Sequence, residues 1–272
     1  MPPMKSIPKL TDQTALVRNR ARSATDPVTF LHDIALDEIK DRLSLVNRRF
    51  TNPAIVSGFP DIWRDLRPDA IIVDDSDAID LQINTHDLVI HAMGLHWASD
   101  PVGQLIQCLR ALKPDGLFLA VLFGGQTLHE LRASLAEAES RITGGLSPRI
   151  APMADIRDLG ALLQRAGFAL PVADSLPLTT SYQTPLHLMH ELRAMGEANA
   201  LHDRLRNPTK RAVFDSATQI YTEQFPAEDG RVEATFELVF LAGWAPHESQ
   251  QQPLRPGSAT TSLADALRIP DD

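Results

Sequence analysis

Apolar positions along the chain follow two periods, one suited to helices and one to buried strands. From Pro27 onward, Phe30, Leu31, Ile34, Ile39 and Leu43 recur at helical spacing, and Pro27 suits a first helical turn. Short apolar runs at 54–56 and 70–73 predict strands, with a small helix over 61–66 between them. The run DLVIHAM at 87–93 predicts a buried strand. Asp100 and Pro101 then open a helix that places Val102, Leu105, Ile106, Leu109 and Leu112 on one face. Lys113-Pro114-Asp115-Gly116 turns the chain into a strand over 117–123. Thr127 and Glu130 have capping-box spacing ahead of a helix with Leu128, Leu131, Leu135 and Ile142 inward. Strand, helix, strand, helix at this tempo predicts a parallel α/β sheet with right-handed crossovers.

The second half is more broken. A loop over 144–152 leads to a helix over 155–166 that stops at Gly167. Strands are predicted over 170–175 and 178–182, helices over 185–195 and 209–225. Asp229-Gly230 turns into a long terminal strand over 232–244. The expected organisation is a polar, solvated arm over 1–26, one domain over 27–245, and a polar tail over 246–272. The tail is rich in Gln, Pro, Ser and Gly.

Composition narrows the function. The chain has 272 residues, of which 43% are hydrophobic, enough for a sizeable core. Lys+Arg 26 against Asp+Glu 35 leaves a net charge of −9, and aromatics are only 6%, which together disfavour a nucleic-acid groove. Proline outnumbers glycine, 20 to 14, a mild signal against a glycine-rich nucleotide cradle. The lone Cys108 excludes an intramolecular disulfide and falls on an apolar helix face, where a structural role is expected. The opening residues carry no apolar signal core, and no apolar run approaches the roughly 20 residues of a membrane span. A soluble cytoplasmic protein is expected, present at most transiently at the inner membrane surface.

The stretch HDLVIHAMGLHWASDPVGQLIQCLRALKPDGLFLAVLFGG, from His86, resembles the second half of a class I methyltransferase domain. More narrowly, FGGQTLHELR, GGLSPRIAP, RAGF, MGEANA, DGRVEATFELVF and HESQ resemble the complex I assembly-factor family. The resemblance runs from about residue 28 to 262. Malonyl-carrier-protein methyltransferases share only the LHW and LKPDG parts. The resemblance implies an α/β methyltransferase-like (Rossmann-like) sheet, S-adenosylmethionine as cofactor, and action on an arginine of an iron-sulfur subunit of NADH dehydrogenase. The family's Asp-x-Gly-x-Gly loop after strand one is reduced here to Ser57-Gly58-Phe59-Pro60, and the second strand-helix unit is missing. Extra helices precede the last antiparallel strand.

On this resemblance the cofactor-binding candidates are Gly58, Asp74, Asp75, His96 and Trp97. The substrate- or partner-binding candidates are Gly124, Gly125, Thr127, Arg132 and Arg149. Gly124 and Gly125 would let a ligand approach the backbone closely. No catalytic residue is singled out and no metal site is predicted. His86, His91 and His96 alternate along the strand, and His187, His190 and Glu191 lie on a polar helix face. The acids Asp74, Asp75, Asp77 and Asp80 read as a solvated loop, with contact to an adenosine or a cation as the alternatives. Two functions stay open beside a methyltransferase or arginine hydroxylase: a cofactor-free assembly chaperone, and a methyltransferase of small molecules or carrier proteins.

Overall fold

A computed structural model describes residues 9–251. Residues 1–8 and most of the expected tail, 252–272, lie outside the described residues. The described elements run α1 (Gln13–Ser23), α2 (Phe30–Leu45), β1 (Pro53–Val56), α3 (Pro60–Trp63), β2 (Ile71–Val73), β3 (His86–Ala92), α4 (Pro101–Ala111) and β4 (Leu112–Phe123). They continue with α5 (His129–Thr143), α6 (Ile156–Ala166), β5 (Ala169–Tyr182), α7 (Pro185–Ala194), α8 (Arg211–Gln224) and β6 (Val232–Trp244). The strands form one six-stranded sheet in the order β2-β1-β3-β4-β6-β5. The first four strands are parallel. β6 enters antiparallel between β4 and β5.

Alternation along the strands divides the core in two. Leu117, Leu119, Val121 and Phe123 of β4 face one layer with α2, α5, α7 and α8. Phe118, Ala120 and Leu122 face the other with α4 and α6. Asp100 caps α4 by accepting from Gly103 N at 2.8 Å, as its sequence predicts.

Three expectations are corrected. The arm is not solvated where it is described: residues 13–23 form α1, with Ala15 and Leu16 packed against Trp97, Ala151 and Leu201. Asp12 caps this helix, and Arg204 and Arg206 each meet its Oδ2 at 2.9 Å. The capping box does not form, because Thr127 Oγ1 bonds β6 at Glu237 N and O while Leu128 takes the cap position with φ 55°. The two strands expected over 170–182 are one strand with a register shift between Ala169 and Val172. β2 pairs directly with β1, in keeping with the expected loss of the second strand-helix unit.

Among the described residues, no helix is long and apolar enough to cross a membrane. The start of the tail packs on the domain, with Gln250 Nε2 donating to Asp115 Oδ1 and Ala245 O.

Candidate functional site

The chain passes from β1 to β2 on one side and then to β3 on the other, so a topological switch point lies between β1 and β3. Ligands of open α/β sheets bind at such a point, outside the carboxyl ends of the strands. Gly58 follows β1, Asp74 and Asp75 follow β2, and Gly94 follows β3. α1 lays Arg20 across this crevice. Its Nη1 and Nη2 meet Asp75 Oδ1 and Oδ2 at 2.6 and 2.9 Å, with both side chains 7% exposed. The guanidinium also lies over the Phe59 ring, 5.0 Å from its centroid. Behind Asp75, Gln104 Nε2 donates to the carbonyls of Asp75 and Ser76 and its Oε1 pairs with His91 Nε2. Burial pushes the Asp75 carboxyl up, but the charge and hydrogen bonds of Arg20 outweigh it and hold the group below its ordinary value. Asp74, its neighbour, is exposed.

S-adenosylmethionine does not fit this crevice as it is folded. A Cβ built on Gly58 would stand 1.8 Å from Arg20 Nη1, and one on Gly94 would stand 2.1 Å from Asp75 Oδ2. The open faces of both glycines, which a cofactor backbone contact needs, are therefore covered by the protein's own ion pair. Pro60 adds no N–H at the start of α3.

A second space opens beyond the ends of β3 and β4. It is a cavity of about 290 Å³, walled by Trp97, Phe123, Leu131, Leu135, Met153, Met189, Leu192, Phe214 and Phe236. Its size suits one side chain rather than a large ligand. Glu197, in the segment after α7, brings a carboxylate to this apolar wall. Its Oε2 accepts from Trp97 Nε1 at 2.8 Å and faces His96 Nε2 at 3.3 Å, while Oε1 is buried and has no partner. The His96 ring packs on Phe123, 4.9 Å between centroids. Burial pushes the Glu197 carboxyl up, but His96, Arg20 and Trp97 outweigh it and keep the group below its ordinary value. A carboxylate held charged in an apolar wall, with one free oxygen, calls for a cationic partner.

Most other polar groups of the cavity are already engaged; Arg193, on its exposed rim, has no side-chain hydrogen bond or ion pair among the described residues. Arg149 binds Glu139 through Nε and Nη2 and Thr209 through Nη1. Asn199 Nδ2 donates to Pro148 O, and its Oδ1 accepts from Leu201 N. Thr127 is tied to β6, and Arg132, outside the cavity, donates to Thr127 O. Gly124 is explained by packing, since a Cβ there would lie 2.5 Å from Val239 Cγ2 and 2.8 Å from Glu237 Oε2. Gly125 has ordinary room.

The predicted residues thus divide between two places. Gly58 and Asp75 share the crevice, whereas Trp97, Thr127 and Arg149 line the cavity, with His96 joining Trp97 on Glu197. Sequence reasoning passed over Arg20 and Glu197. Glu197 had a signal, its place in the MGEANA string; Arg20 had none beyond an arginine at every second position from 18 to 22. Among the described residues, no group of three or more His, Cys, Asp or Glu side chains is placed to hold a metal ion.

Comparison with known proteins agrees with this architecture. No family profile matches the chain. It is 39% identical over 202 residues to "Arginine-hydroxylase NDUFAF5, mitochondrial" of Danio rerio, covering 74% of this chain and 63% of that protein. The Homo sapiens protein of the same name is also 39% identical over 202 residues, covering 74% of this chain and 58% of its own length. The chain therefore spans about three fifths of these relatives. A malonyl-[acyl-carrier protein] O-methyltransferase of Halorhodospira halophila is 33% identical over 182 residues, 66% of this chain and 59% of that one. A solved structure of a candidate methyltransferase from Bacillus halodurans superposes with a TM-score of 0.50 at 14% identity, over 78% of this chain and 99% of that one. The chain has a class I methyltransferase fold and, over about three quarters of its length, is similar in sequence to proteins named as mitochondrial arginine-hydroxylases.

Proposed function

We propose that this chain takes an arginine side chain of a protein partner into the Trp97–Glu197 cavity and serves the hydroxylation of that arginine, as the name of its relatives implies. The observation that carries this is Glu197: a buried carboxylate on an apolar wall, its Oε1 unpartnered, with no arginine or lysine of the described residues paired to it. An arginine has the matching chemistry, an aliphatic stem for the Phe123, Leu131 and Met189 walls and a permanent cation for the carboxylate. Trp97 and His96 hold one oxygen of Glu197 in place, which leaves the other to orient the incoming guanidinium. The partner we propose is an iron-sulfur subunit of respiratory NADH dehydrogenase. The hydroxylation inserts one atom of dioxygen into an arginine C–H bond, while the other atom leaves as water with two electrons and two protons from a separate reductant. This chain supplies the positioning of the arginine, and no step uses S-adenosylmethionine.

A second reading is favoured by the filled crevice: a cofactor-free assembly role, in which the same cavity grips the partner without chemistry. One experiment separates them. Iron-sulfur subunits of NADH dehydrogenase are isolated from cells with and without this protein, and each arginine-containing peptide is weighed. The hydroxylase reading expects one arginine heavier by one oxygen only when the protein is present, and not when it carries Glu197→Gln. Capture of the subunit with no added oxygen supports the assembly role, and neither capture nor oxygen removes both.

A further inference from the structure

We propose that Arg20 is a built-in occupant of the cofactor crevice, so that this chain works without S-adenosylmethionine. The argument starts from topology. The crevice at the β1/β3 switch point is where an open α/β sheet holds a nucleotide-like ligand, with glycines allowing close approach and an acid after the strand beside β1 gripping a ribose. This chain keeps those parts: Gly58 after β1, Gly94 after β3, Asp75 after β2. All three are spent on one internal contact. The Arg20 guanidinium lies against Gly58, takes both oxygens of Asp75, and leaves that carboxylate pressed over Gly94.

The occupant is firmly held. α1 is fixed at its start by Asp12 N on Ala200 O at 2.8 Å and by Thr11 Oγ1 on Trp97 O at 2.6 Å. One residue before Arg20, Asn19 Nδ2 donates to Ala198 O at 2.9 Å. The guanidinium therefore does not swing in from solvent; it is placed by a helix that packs on the same segment as Glu197. Electrostatics works in the same direction, since the donor's sulfonium is a cation and the acid that would favour it is already neutralised by Arg20.

The test uses the whole wild-type chain, titrated with S-adenosylmethionine and separately with S-adenosylhomocysteine. Binding is read by calorimetry and by the unfolding midpoint. The second ligand lacks the sulfonium charge, so it reports the space alone. No saturable heat and no midpoint shift are expected for either up to millimolar concentration, and saturable binding of either overturns the proposal. Arg20→Ala, checked for folding by circular dichroism, is expected to gain S-adenosylhomocysteine binding that the wild type lacks. A folded Arg20→Ala chain that still does not bind overturns the assignment of Arg20 as occupant. Should Arg20→Ala fail to fold, Arg20→Gln, which keeps a hydrogen bond toward Asp75, is read by the same two outcomes. No partner protein enters the experiment, so its result is independent of arginine recognition.

Discussion

Trp97 and Glu197, 100 positions apart in the chain, are joined by a hydrogen bond of 2.8 Å from the indole Nε1 to Oε2. The bond closes the cavity by tying the turn after β3 to the segment after α7. Trp97→Phe keeps the aromatic wall but removes that donor, leaving Oε2 with His96 alone. A loss of about 1–3 kcal/mol in urea unfolding is expected for a buried acceptor stripped of a partner. Glu197→Gln keeps the shape and removes the charge. Its affinity for an arginine-bearing peptide of the partner should fall roughly 10- to 100-fold, equivalent to about 1.5–3 kcal/mol for a charged hydrogen bond. Unchanged affinity would show that the carboxylate does not receive the cation.

The loop over 144–152 is clasped by one residue. Glu139 on α5 accepts from Ser147 N and Oγ and from Arg149 Nε and Nη2, and both ionic side chains are largely buried. Arg149 holds the carboxyl down at about 2, with burial opposing and Ser147 assisting. Arg149→Lys loses the two-pronged fork and is not conservative here. It should cost about 1.5–3 kcal/mol and expose the loop to limited proteolysis. A cleavage rate equal to that of the wild type would refute the clasp.

The paired glycines after β4 make a sharper comparison. A methyl group on Gly124 meets Val239 at 2.5 Å and Glu237 at 2.8 Å, while one on Gly125 meets only Ala154 O at 3.6 Å. Gly124→Ala should lower stability by about 1–3 kcal/mol, as overpacking does. Gly125→Ala should stay within about 0.5 kcal/mol. Equal stabilities for the two, with binding of the partner lost in both, would return these positions to a ligand role.

How much of this was legible follows from what each residue packs against. β3, α4 and β4 were readable because their inward residues are apolar at the proper period, and Asp100-Pro101 announces the helix start locally. α1 was not, because its inward face is Ala15, Leu16, Asn19, Arg20 and Ser23. Three of those are polar, and Asn19 and Arg20 are buried against Ala198 and Asp75, partners far away in sequence. The Thr127–Glu130 spacing misled for the same reason: the hydroxyl had a better partner on β6, more than a hundred residues away. The loss of the glycine loop at Gly58-Phe59-Pro60 was visible in sequence; that an arginine from the supposed arm fills the space was not.

Acid should unfold this protein in two stages, the first set by buried histidines. Trp63 is fully buried and donates its Nε1–H to His32 Nδ1 at 3.2 Å, so His32 must keep that nitrogen unprotonated. Burial drives the His32 pKa down from 6.5 to about 4, with nearby Glu197 opposing and Arg20 assisting. A folded value below the unfolded one means that the unfolded chain takes the proton first. The stability is therefore present above pH 6.5 and is lost as pH falls toward 4, by about 3 kcal/mol for this group. His91, lowered chiefly by burial, acts in the same direction. Asp75, Glu197 and Glu139 are depressed carboxylates, whose contributions are lost at still lower pH as each is protonated. His32→Gln supplies Trp63 with an acceptor that does not titrate. Urea unfolding of this variant and of the wild type, measured from pH 7.5 to 3, should show a shallower decline for the variant between pH 6.5 and 4 and parallel curves below. Parallel curves across the whole range would show that His32 contributes nothing to the first stage.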